Sequence, residues 1–252
     1  MTKMNSPKIG IAGISGRLGS LCAAEAAAYL VGGLSRRADL AHSIFTDPAR
    51  LASQCDVIID VSHASQIVPH AEAFSEAGCA WVLGTTGLTA EDQQAVEKAA
   101  EKIPVLQAAN FSPALTMLLD LARQLAAALP DYDAEILETH HRQKLDAPSG
   151  TALAIGRAVA EGRNVNFEDV KRLDQNGKRP DGAIGFASLR GGQVIGEHEL
   201  RFLAKDEEII LSHRALDRRV FARGAVQAAL WLANNKPSGL YSMSDVVRGN
   251  NV

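Results

Sequence analysis

Three glycines spaced three residues apart lie near the start of the chain, between a strand-like and a helix-like segment. Gly13, Gly16 and Gly19 follow the apolar run 8–12 and precede the alanine-rich run 20–29. Glycine lets the backbone turn tightly between a strand and a helix. It also lets a pyrophosphate approach the N-terminus of that helix, where backbone N–H groups point outward. The spacing predicts a dinucleotide-binding turn, and a tight turn without a ligand is the competing interpretation.

Short apolar runs alternate with helix-like runs through the first half of the chain. Strands are predicted at residues 30–34, 56–61, 80–83 and 105–108, with helices at 67–77 and 91–102. Continuous apolar runs are typical of parallel strands that are buried on both faces. Strands that alternate with helices at this spacing predict βαβ units and a Rossmann-like parallel sheet.

The pattern changes after residue 112. Helices are predicted at 115–129 and 151–160, and strands at 133–140, 186–190, 194–202 and 208–213. The alternation of polar and apolar residues in these strands predicts a mixed sheet with helices on one face. An apolar helix at 222–234 then returns to the first domain. The predicted fold is α/β. A Rossmann-like dinucleotide-binding domain covers residues 1–112 and 220–252, and a second, α+β domain with a mixed sheet covers 113–219.

Composition narrows the classes of function. The 252 residues include 26 Lys and Arg against 29 Asp and Glu, and aromatic residues make up 5%. A weakly acidic chain with few aromatics is not expected to bind nucleic acid. Cys22, Cys55 and Cys79 form no CxxC pair, which argues against a disulfide framework or a cysteine-rich zinc site. No run approaches the ~18 apolar residues of a membrane span, and no signal peptide is visible at the N-terminus, so a soluble cytoplasmic protein is expected.

The residues after the second strand bear on the choice of cofactor. An acidic residue at this place normally binds the adenosine ribose of NAD, but this chain has Ser35 followed by Arg36 and Arg37. Arginine forms bidentate hydrogen bonds to phosphate. The segment therefore favours a cofactor with a ribose 2′-phosphate, with a solvated basic turn as the alternative.

The densest cluster of reactive side chains begins at the end of the strand 133–140. His140 and His141 offer proton transfer near neutral pH, and Lys144 adds a positive charge or a second proton donor. Neighbouring residues on a strand point to opposite faces, so the two histidines are poorly placed to share one metal ion. No metal site is predicted here.

A helix start follows in the same segment. Ser149 suits the N-cap position, which would direct the N–H groups of Gly150 and Thr151 out of the helix end. Those groups and the Thr151 hydroxyl would form a site for a carboxylate. An ordinary polar loop remains the alternative on spacing alone.

With these motifs the chain resembles the 4-hydroxy-tetrahydrodipicolinate reductase family. The signature-like stretch runs from Glu138 through His140, His141 and Lys144 to Asp146-Ala147-Pro148-Ser149-Gly150-Thr151-Ala152. Further matching segments, in order along the chain, are Gly13–Gly19, Gly84-Thr85-Thr86-Gly87, Ala109-Asn110-Phe111-Ser112, Ile184-Gly185-Phe186, Arg190-Gly191, Gly196-Glu197-His198 and Phe221-Ala222-x-Gly224-Ala225.

The resemblance implies an enzyme of lysine and diaminopimelate biosynthesis that reduces 4-hydroxy-tetrahydrodipicolinate, a cyclic dicarboxylate, to tetrahydrodipicolinate. The cofactor would be NADPH, with NADH possible, and the family's second domain makes a homotetramer. His140 would protonate the substrate with help from Lys144. The residues that would hold the substrate carboxylates are His141, Lys144, Ser149, Gly150 and Thr151. Those that would bind the cofactor are Gly13, Ile14, Ser15, Gly16, Arg17, Leu18, Ser35, Arg36, Gly84, Thr85, Thr86, Ala109, Asn110 and Phe111.

Four places depart from the family pattern. Ser35 stands where the family commonly has an acidic residue, which puts dual use of NADH and NADPH in question. The connection 37–56 is shorter than the family's, Pro113-Ala114 replaces a hydrophobic residue followed by glycine, and His63 stands where the family tends to have proline.

Two other functions compete. Another two-domain NADP oxidoreductase would share the glycine turn, but one using a thioester needs a cysteine in the second domain, and all three cysteines precede Phe111. A nucleotide-sensing regulator would have no reason to carry His140 and Lys144 beside a carboxylate site.

Overall fold

The computed structural model describes residues 6–234 and 236–249, which form two compact units. The second unit is Ala114–Arg218, and the described residues on either side of it form the first. In chain order the strands are β1 (Ile9–Ala12), β2 (Leu30–Leu34), β3 (Ile44–Phe45), β4 (Val57–Asp60), β5 (Ala80–Leu83), β6 (Pro104–Gln107), β7 (Asp133–His140), β8 (Lys171–Arg172), β9 (Ile184–Arg190), β10 (Glu197–Leu203), β11 (Glu208–Arg214) and β12 (Gly239–Tyr241). The α-helices are α1 (Arg17–Glu25), α2 (Pro48–Ala52), α3 (Ile67–Ala77), α4 (Ala90–Ala100), α5 (Pro113–Ala128), α6 (Gly150–Gly162), α7 (Phe167–Val170), α8 (Arg219–Leu232) and α9 (Met243–Gly249).

The first unit is built on a parallel sheet in the order β3-β2-β1-β4-β5-β6-β12. The chain runs outward from β1 in one direction to β3, then starts again beside β1 with β4 and runs the other way. The strand order thus reverses between β1 and β4, and open α/β sheets bind ligands beyond the carboxyl ends of the strands at such a point. The prediction of a Rossmann-like sheet is confirmed.

Apolar residues on both faces hold this sheet in place. Ile9 and Val57 pack with the alanines of α8 on one face, whereas Ile58 and Trp81 belong to the apolar cluster on the other. Every residue of β4 is buried, which explains why its sequence is a continuous apolar run.

The second unit is built on a mixed sheet in the order β11-β10-β7-β9-β8. β9 lies parallel to β7 and β8, while β10 is antiparallel to both β7 and β11. Burial alternates along β7, and its inward residue Ile136 packs with Phe202 and with Ile155 and Val159 of α6. The prediction of a second, mixed sheet is confirmed.

The main differences from the sequence-based prediction lie in short elements. α1 begins at Arg17 and ends at Glu25, rather than spanning 20–29. Six short elements are not predicted from the sequence, namely β3, α2, α7, β8, β12 and α9. Elements of two to seven residues contain too few positions to show a period, and contacts with neighbouring elements stabilise them. None of the described helices combines the length and the apolar character needed to cross a membrane.

Candidate active site

The glycine turn after β1 leaves a cradle at the N-terminus of α1. Gly13 has φ +80°, and a Cβ atom there would lie 2.8 Å from the carbonyl oxygen of Val61. A Cβ at Gly19 would lie 2.1 Å from the carbonyl oxygen of Gly13, so neither position tolerates a side chain. Gly16 is the N-cap residue, and because it has no side chain the first N–H groups of α1 are left for a ligand. The cradle fits the pyrophosphate of a dinucleotide.

The end of β2 lies beside this cradle. The hydroxyl oxygens of Ser15 and Ser35 are 3.0 Å apart and hydrogen-bonded, so the structure brings these two predicted residues together. Arg36 and Arg37 follow and are exposed. The next acidic residue, Asp39, is hydrogen-bonded to His42 Nδ1 at 2.8 Å. Two hydroxyls and two guanidinium groups therefore lie where an adenosine ribose is expected.

The other predicted cofactor residues follow β5 and β6. Thr85 is buried, Thr86 is exposed, and Asn110 Oδ1 accepts a hydrogen bond of 2.8 Å from the backbone N–H of Ser112. Gly84 permits close packing, because a Cβ atom there would lie 2.4 Å from the Phe111 ring. The predicted cofactor residues of the first unit thus follow the carboxyl ends of β1, β2, β5 and β6. Carboxyl ends of parallel strands share one edge of the sheet.

A buried carboxylate with several hydrogen-bond partners lies at the end of β4, and it was not predicted from the sequence. Asp60 is fully buried, and its Oδ2 is 2.7 Å from Nδ1 of His70 on α3. Its Oδ1 accepts hydrogen bonds from the Ser62 hydroxyl at 2.6 Å and the Ser62 N–H at 3.1 Å, and the Thr85 hydroxyl is 3.5 Å away. The sequence feature that could have indicated this site is an acidic residue, Asp60, at the end of an apolar strand. The hydrogen bonds of Asp60 fix the turn after β4, against which Gly13 packs.

In the second unit, the alternation along β7 places Glu138 and His140 on the same buried face. Glu138 Oε2 lies 2.5 Å from His140 Nδ1. Only 1% of the Glu138 side chain is exposed and 11% of the His140 side chain. His140 is a predicted site residue and Glu138 is not, although the sequence shows their spacing of two residues on a strand.

Glu138 is also held by residues from two other elements. Arg190 of β9 donates two hydrogen bonds to it, from Nη2 to Oε1 at 2.7 Å and from Nη1 to Oε2 at 2.9 Å. The backbone N–H of Ser149 donates to Oε1 at 3.1 Å. Burial raises the pKa of Glu138, but hydrogen bonds from Arg190, Ser188 and His140 outweigh it and lower this pKa from 4.5 to about 2. Glu138 is therefore ionised at neutral pH.

The environment of His140 makes it a weaker base than a free histidine. Burial lowers its pKa, the charges of Lys144 and Arg190 lower it further, and the hydrogen bond to Glu138 opposes them. The ring of His198 on β10 meets the His140 ring edge-on, with 5.1 Å between centroids. Burial, followed by the charge of His140, lowers the pKa of His198 to about 4. His198 is thus neutral beside His140.

A glycine keeps the other ring nitrogen of His140 clear. A Cβ atom at Gly196 would lie 3.1 Å from Nε2 of His140, so a side chain at this position would press on that nitrogen. The Nδ1 atom is occupied by Glu138. Nε2 is therefore the atom through which His140 can exchange a proton with a ligand.

The loop from β7 to α6 carries the remaining predicted residues. Lys144 Nζ donates to Asp146 Oδ1 at 2.8 Å. Ser149 caps α6, as expected, because its hydroxyl accepts a hydrogen bond from Ala152 N at 3.1 Å. The same hydroxyl is 3.0 Å from His198 Nε2, so Ser149 is fully engaged inside the unit. Gly150 and Thr151 begin the helix, where Gly150 is exposed and Thr151 is half-buried. Half-buried His141 follows β7 directly.

Glu138, His140 and His198 carry atoms that could bind a metal ion. Ligand atoms of Glu138, His140 and His198 lie within 4.8 Å of one another. However, both oxygens of Glu138 already accept hydrogen bonds from the Arg190 guanidinium, and a cation would have to displace that charge. The arrangement favours proton transfer over metal binding.

Comparison with known proteins gives consistent results over both units. Residues 7–111 match the family model "Dihydrodipicolinate reductase, N-terminus" and residues 114–247 match "Dihydrodipicolinate reductase, C-terminus". The 4-hydroxy-tetrahydrodipicolinate reductase of Gluconobacter oxydans (strain 621H) is 72% identical over 248 residues, which cover 98% of this chain and 100% of the relative. The enzyme of the same name from Gluconacetobacter diazotrophicus is 54% identical, covering 95% of this chain and 96% of the relative.

A solved structure gives the same match. The dipicolinate-bound dihydrodipicolinate reductase of Paenisporosarcina sp. TG-14 superposes with a TM-score of 0.78 at 25% identity. The match covers 94% of this chain and 98% of that one. A probable dehydrogenase from Thermotoga maritima shares the fold alone, with a TM-score of 0.62 at 12% identity.

Proposed function

The chain belongs to the dihydrodipicolinate reductase family, and we propose that it catalyses the NAD(P)H-dependent reduction of 4-hydroxy-tetrahydrodipicolinate to tetrahydrodipicolinate in lysine and diaminopimelate biosynthesis. The observation that carries the proposal is the end of β7. There His140 presents a clear Nε2 atom, and Lys144 and the N-terminus of α6 follow in the same segment. A proton donor suits the protonation step of such a reduction, and a cation and a helix N-terminus suit the binding of a dicarboxylate.

The first unit would supply the cofactor site, as the dinucleotide-binding domain that the sequence predicts at residues 1–112 and 220–252. A bound pyridine nucleotide supplies a hydride. The N-terminus of α1 would bind its pyrophosphate, because the glycine cradle leaves the first N–H groups available. The residues assigned to cofactor binding are Gly13, Ile14, Ser15, Gly16, Arg17, Leu18, Ser35, Arg36, Gly84, Thr85, Thr86, Ala109, Asn110 and Phe111.

NADPH is the proposed preferred cofactor. Ser35 offers a hydroxyl at the end of β2 where a carboxylate would repel a 2′-phosphate, and exposed Arg36 follows it directly. Arg37 is the second cation, and Asp39 is hydrogen-bonded to His42. A guanidinium that is free to form a bidentate hydrogen bond favours the phosphorylated ribose.

The second unit, Ala114–Arg218, would hold the substrate and supply the proton, as the domain that the sequence predicts at residues 113–219. The 4-hydroxyl group of the substrate leaves as water to give a conjugated ring, and reduction of that ring consumes one hydride and one proton. His140 in its imidazolium form donates this proton from Nε2 to the carbon next to the one that accepts hydride. It becomes a neutral imidazole whose Nδ1–H remains bonded to Glu138. Lys144 assists with its positive charge. The substrate carboxylates are assigned to His141, Lys144, Ser149, Gly150 and Thr151, with Ser149 acting as the cap that fixes the start of α6.

We further propose a homotetramer in the cytoplasm. The face of the second sheet that points away from α6 carries Leu189 and Ile210, which are 54% and 41% exposed. Covering such apolar side chains stabilises association. Light scattering of the purified protein tests the tetramer, and cell fractionation tests the location.

A synthase-coupled absorbance assay tests the activity. The upstream synthase generates the substrate in the cuvette, and the purified protein is added with NADPH or NADH. We expect NADPH oxidation that depends on both the synthase and this protein. Pyridine-2,6-dicarboxylate, which is planar and doubly anionic, should inhibit competitively.

The assay also separates the alternatives. A nucleotide-sensing regulator would bind NADPH without consuming it, and a different dehydrogenase would show no dependence on the synthase. Absence of synthase-dependent oxidation with either cofactor would overturn the proposed function. Absence of inhibition by millimolar dicarboxylate would count against the assigned substrate site.

A further inference from the structure

We propose that Glu138 and Arg190 form a positioning pair that holds the Nδ1 proton of His140 and so leaves Nε2 as its only proton-donating atom. The identity of the proton acceptor rests on the proposed function. The arrangement of the pair does not, because all of its contacts lie within the second unit.

The hydrogen bonds of Glu138 determine which nitrogen of His140 carries a proton. Oε1 accepts from Arg190 Nη2 and from Ser149 N, and Oε2 accepts from Arg190 Nη1. An ionised carboxylate can only accept hydrogen bonds, so the 2.5 Å contact with His140 requires that Nδ1 donates. Neutral His140 is therefore the Nδ1–H tautomer, and any second proton must reside on Nε2.

The same pair connects the other parts of the substrate site. Arg190 Nη2 also donates to the carbonyl oxygen of Asp146 at 2.7 Å, and the Asp146 side chain binds Lys144. Glu138 binds the backbone of Ser149, the N-cap of α6. One buried ion pair thus fixes the strand that carries His140, the loop that carries Lys144 and the helix start that carries Thr151.

Within residues 6–234 and 236–249, the titratable or charged groups that face His140 are Glu138, Lys144, Arg190 and His198. The positive charges of Lys144 and Arg190 disfavour protonation of His140, and His198 is neutral. The negative charge of Glu138 favours protonation. Removing the charge of Glu138 leaves burial and the cations unopposed, so His140 should lose its proton at lower pH. A residue that only stabilised the fold would not have this effect.

Glu138→Gln tests the pair, with Glu135→Gln as the matched control. Glu135 lies on the same strand, on its outward face, and also pairs with an arginine, Arg179, at 2.9 Å. The readout is the nitrogen NMR spectrum of the histidine side chains in the intact protein across pH, with His140 assigned from its loss in His140→Gln. We expect the Nδ1–H tautomer in the unmodified protein, a titration midpoint moved to lower pH in Glu138→Gln, and no movement in Glu135→Gln.

Kinetics provide a second readout. Glu138→Gln should lower kcat about tenfold or more, a part of the ~10²–10⁴-fold that general acid catalysis contributes. Its kcat should also decline with rising pH earlier than that of the unmodified enzyme, while KM for NADPH stays the same. Arg190→Lys keeps the charge but loses the bidentate geometry, and should show a smaller shift in the same direction.

The outcomes distinguish the two proposals. An Nε2–H tautomer for neutral His140 in the unmodified protein overturns the positioning pair, and this measurement stands even if Glu138→Gln fails to fold. An unchanged titration midpoint in folded Glu138→Gln also overturns it. If the coupled assay shows no reduction while the NMR results are as expected, the proposed function fails and the positioning pair stands.

Discussion

In the part of the chain that the structure describes, each unit has a buried carboxylate near the carboxyl end of a strand, and this carboxylate is hydrogen-bonded to Nδ1 of a histidine. In the first unit the pair is Asp60 and His70, and in the second it is Glu138 and His140. The two contacts are similar, at 2.7 and 2.5 Å. Their surroundings differ. His70 stacks on Phe74 with 5.1 Å between ring centroids, whereas the Nε2 edge of His140 is kept clear by Gly196.

The partners of the two carboxylates differ as well. Asp60 is held by the hydroxyl and N–H of Ser62, which belong to the next turn. Glu138 is held by a bidentate guanidinium, which keeps it ionised in spite of its burial. A buried carboxylate–histidine pair is therefore not evidence of catalysis by itself. Two features distinguish a structural pair from one that can transfer a proton. They are the access to the Nε2 atom of the histidine and the groups that bind the carboxylate.

The largest expected effect separates the two histidines directly. His140→Gln should lower kcat by roughly 10²–10⁴-fold, the usual contribution of a general acid, without changing KM for NADPH. His70→Gln should leave kcat within a few-fold but lower the free energy of unfolding by about 1–3 kcal/mol, because Asp60 loses a buried partner. Coupled assays and denaturant unfolding measure both. If folded His70→Gln lost as much turnover as His140→Gln, the distinction between the pairs would be wrong.

The second-largest expected effect tests whether the end of β2 determines the preference for NADPH over NADH. The buried pair of Asp60 and His70 is not expected to influence it. Arg36→Ala should raise KM for NADPH by about 10- to 150-fold, since a charge-assisted phosphate contact contributes roughly 1.5–3 kcal/mol. KM for NADH should hardly change. Arg37→Ala is the matched control and should have a smaller effect, and Ser35→Glu combined with Arg36→Ala should erode or invert the preference. Equal KM values for both cofactors in the unmodified enzyme would contradict the assignment.

A third effect assigns pH sensitivity to the second unit. The pKa of His198 is about 4 in the folded protein, against 6.5 for a free histidine, so between these values the unfolded chain binds the proton first. The free energy of unfolding should fall as pH drops from 6.5 towards 4, by at most about 3 kcal/mol from this group. Denaturant titrations at pH 7 and pH 5 measure the loss, which His198→Gln should reduce. A loss equally large in His198→Gln would place the sensitivity elsewhere.

The smallest effect concerns the helix start of the proposed substrate site. Thr151→Val keeps the shape of the side chain and removes one hydroxyl, so KM for the substrate should rise by about 2- to 10-fold, in line with one hydrogen bond. Lys144→Ala should raise it further and also lower kcat. Thr139→Val, on the outward face of β7, is the control and should change neither constant. An unaltered KM in Thr151→Val would remove this hydroxyl from the site.

The sequence alone predicts the elements and residues whose contacts are local in the chain, and it does not predict those that depend on distant contacts. The bounds of 67–77, 80–83 and 133–140 were predicted to the residue. The first and third are long enough to show a period, and the second is a continuous apolar run. His140, Lys144 and Ser149 were singled out as candidate site residues because they share one continuous segment, and the structure confirms Ser149 as the N-cap of α6. Arg190 and His198 were not singled out, because they reach Glu138 and His140 only through the register of β9 and β10 against β7. Register is set by whole-sheet packing, and no short motif records it.

The interrupted path of the first unit bears on how the chain folds during synthesis. α8 packs against α1 and contributes six buried alanines, valines and leucines to the same core, namely Ala222, Ala225, Val226, Ala228, Ala229 and Leu232. The ribosome makes α8 only after about a hundred residues of the second unit. At roughly 5–20 residues per second, the first sheet waits about 5 to 20 seconds for this helix. During that interval the apolar residues of β4, β5 and β6 that pack against α8 lack this cover, so the nascent first unit exposes apolar surface that its finished form buries.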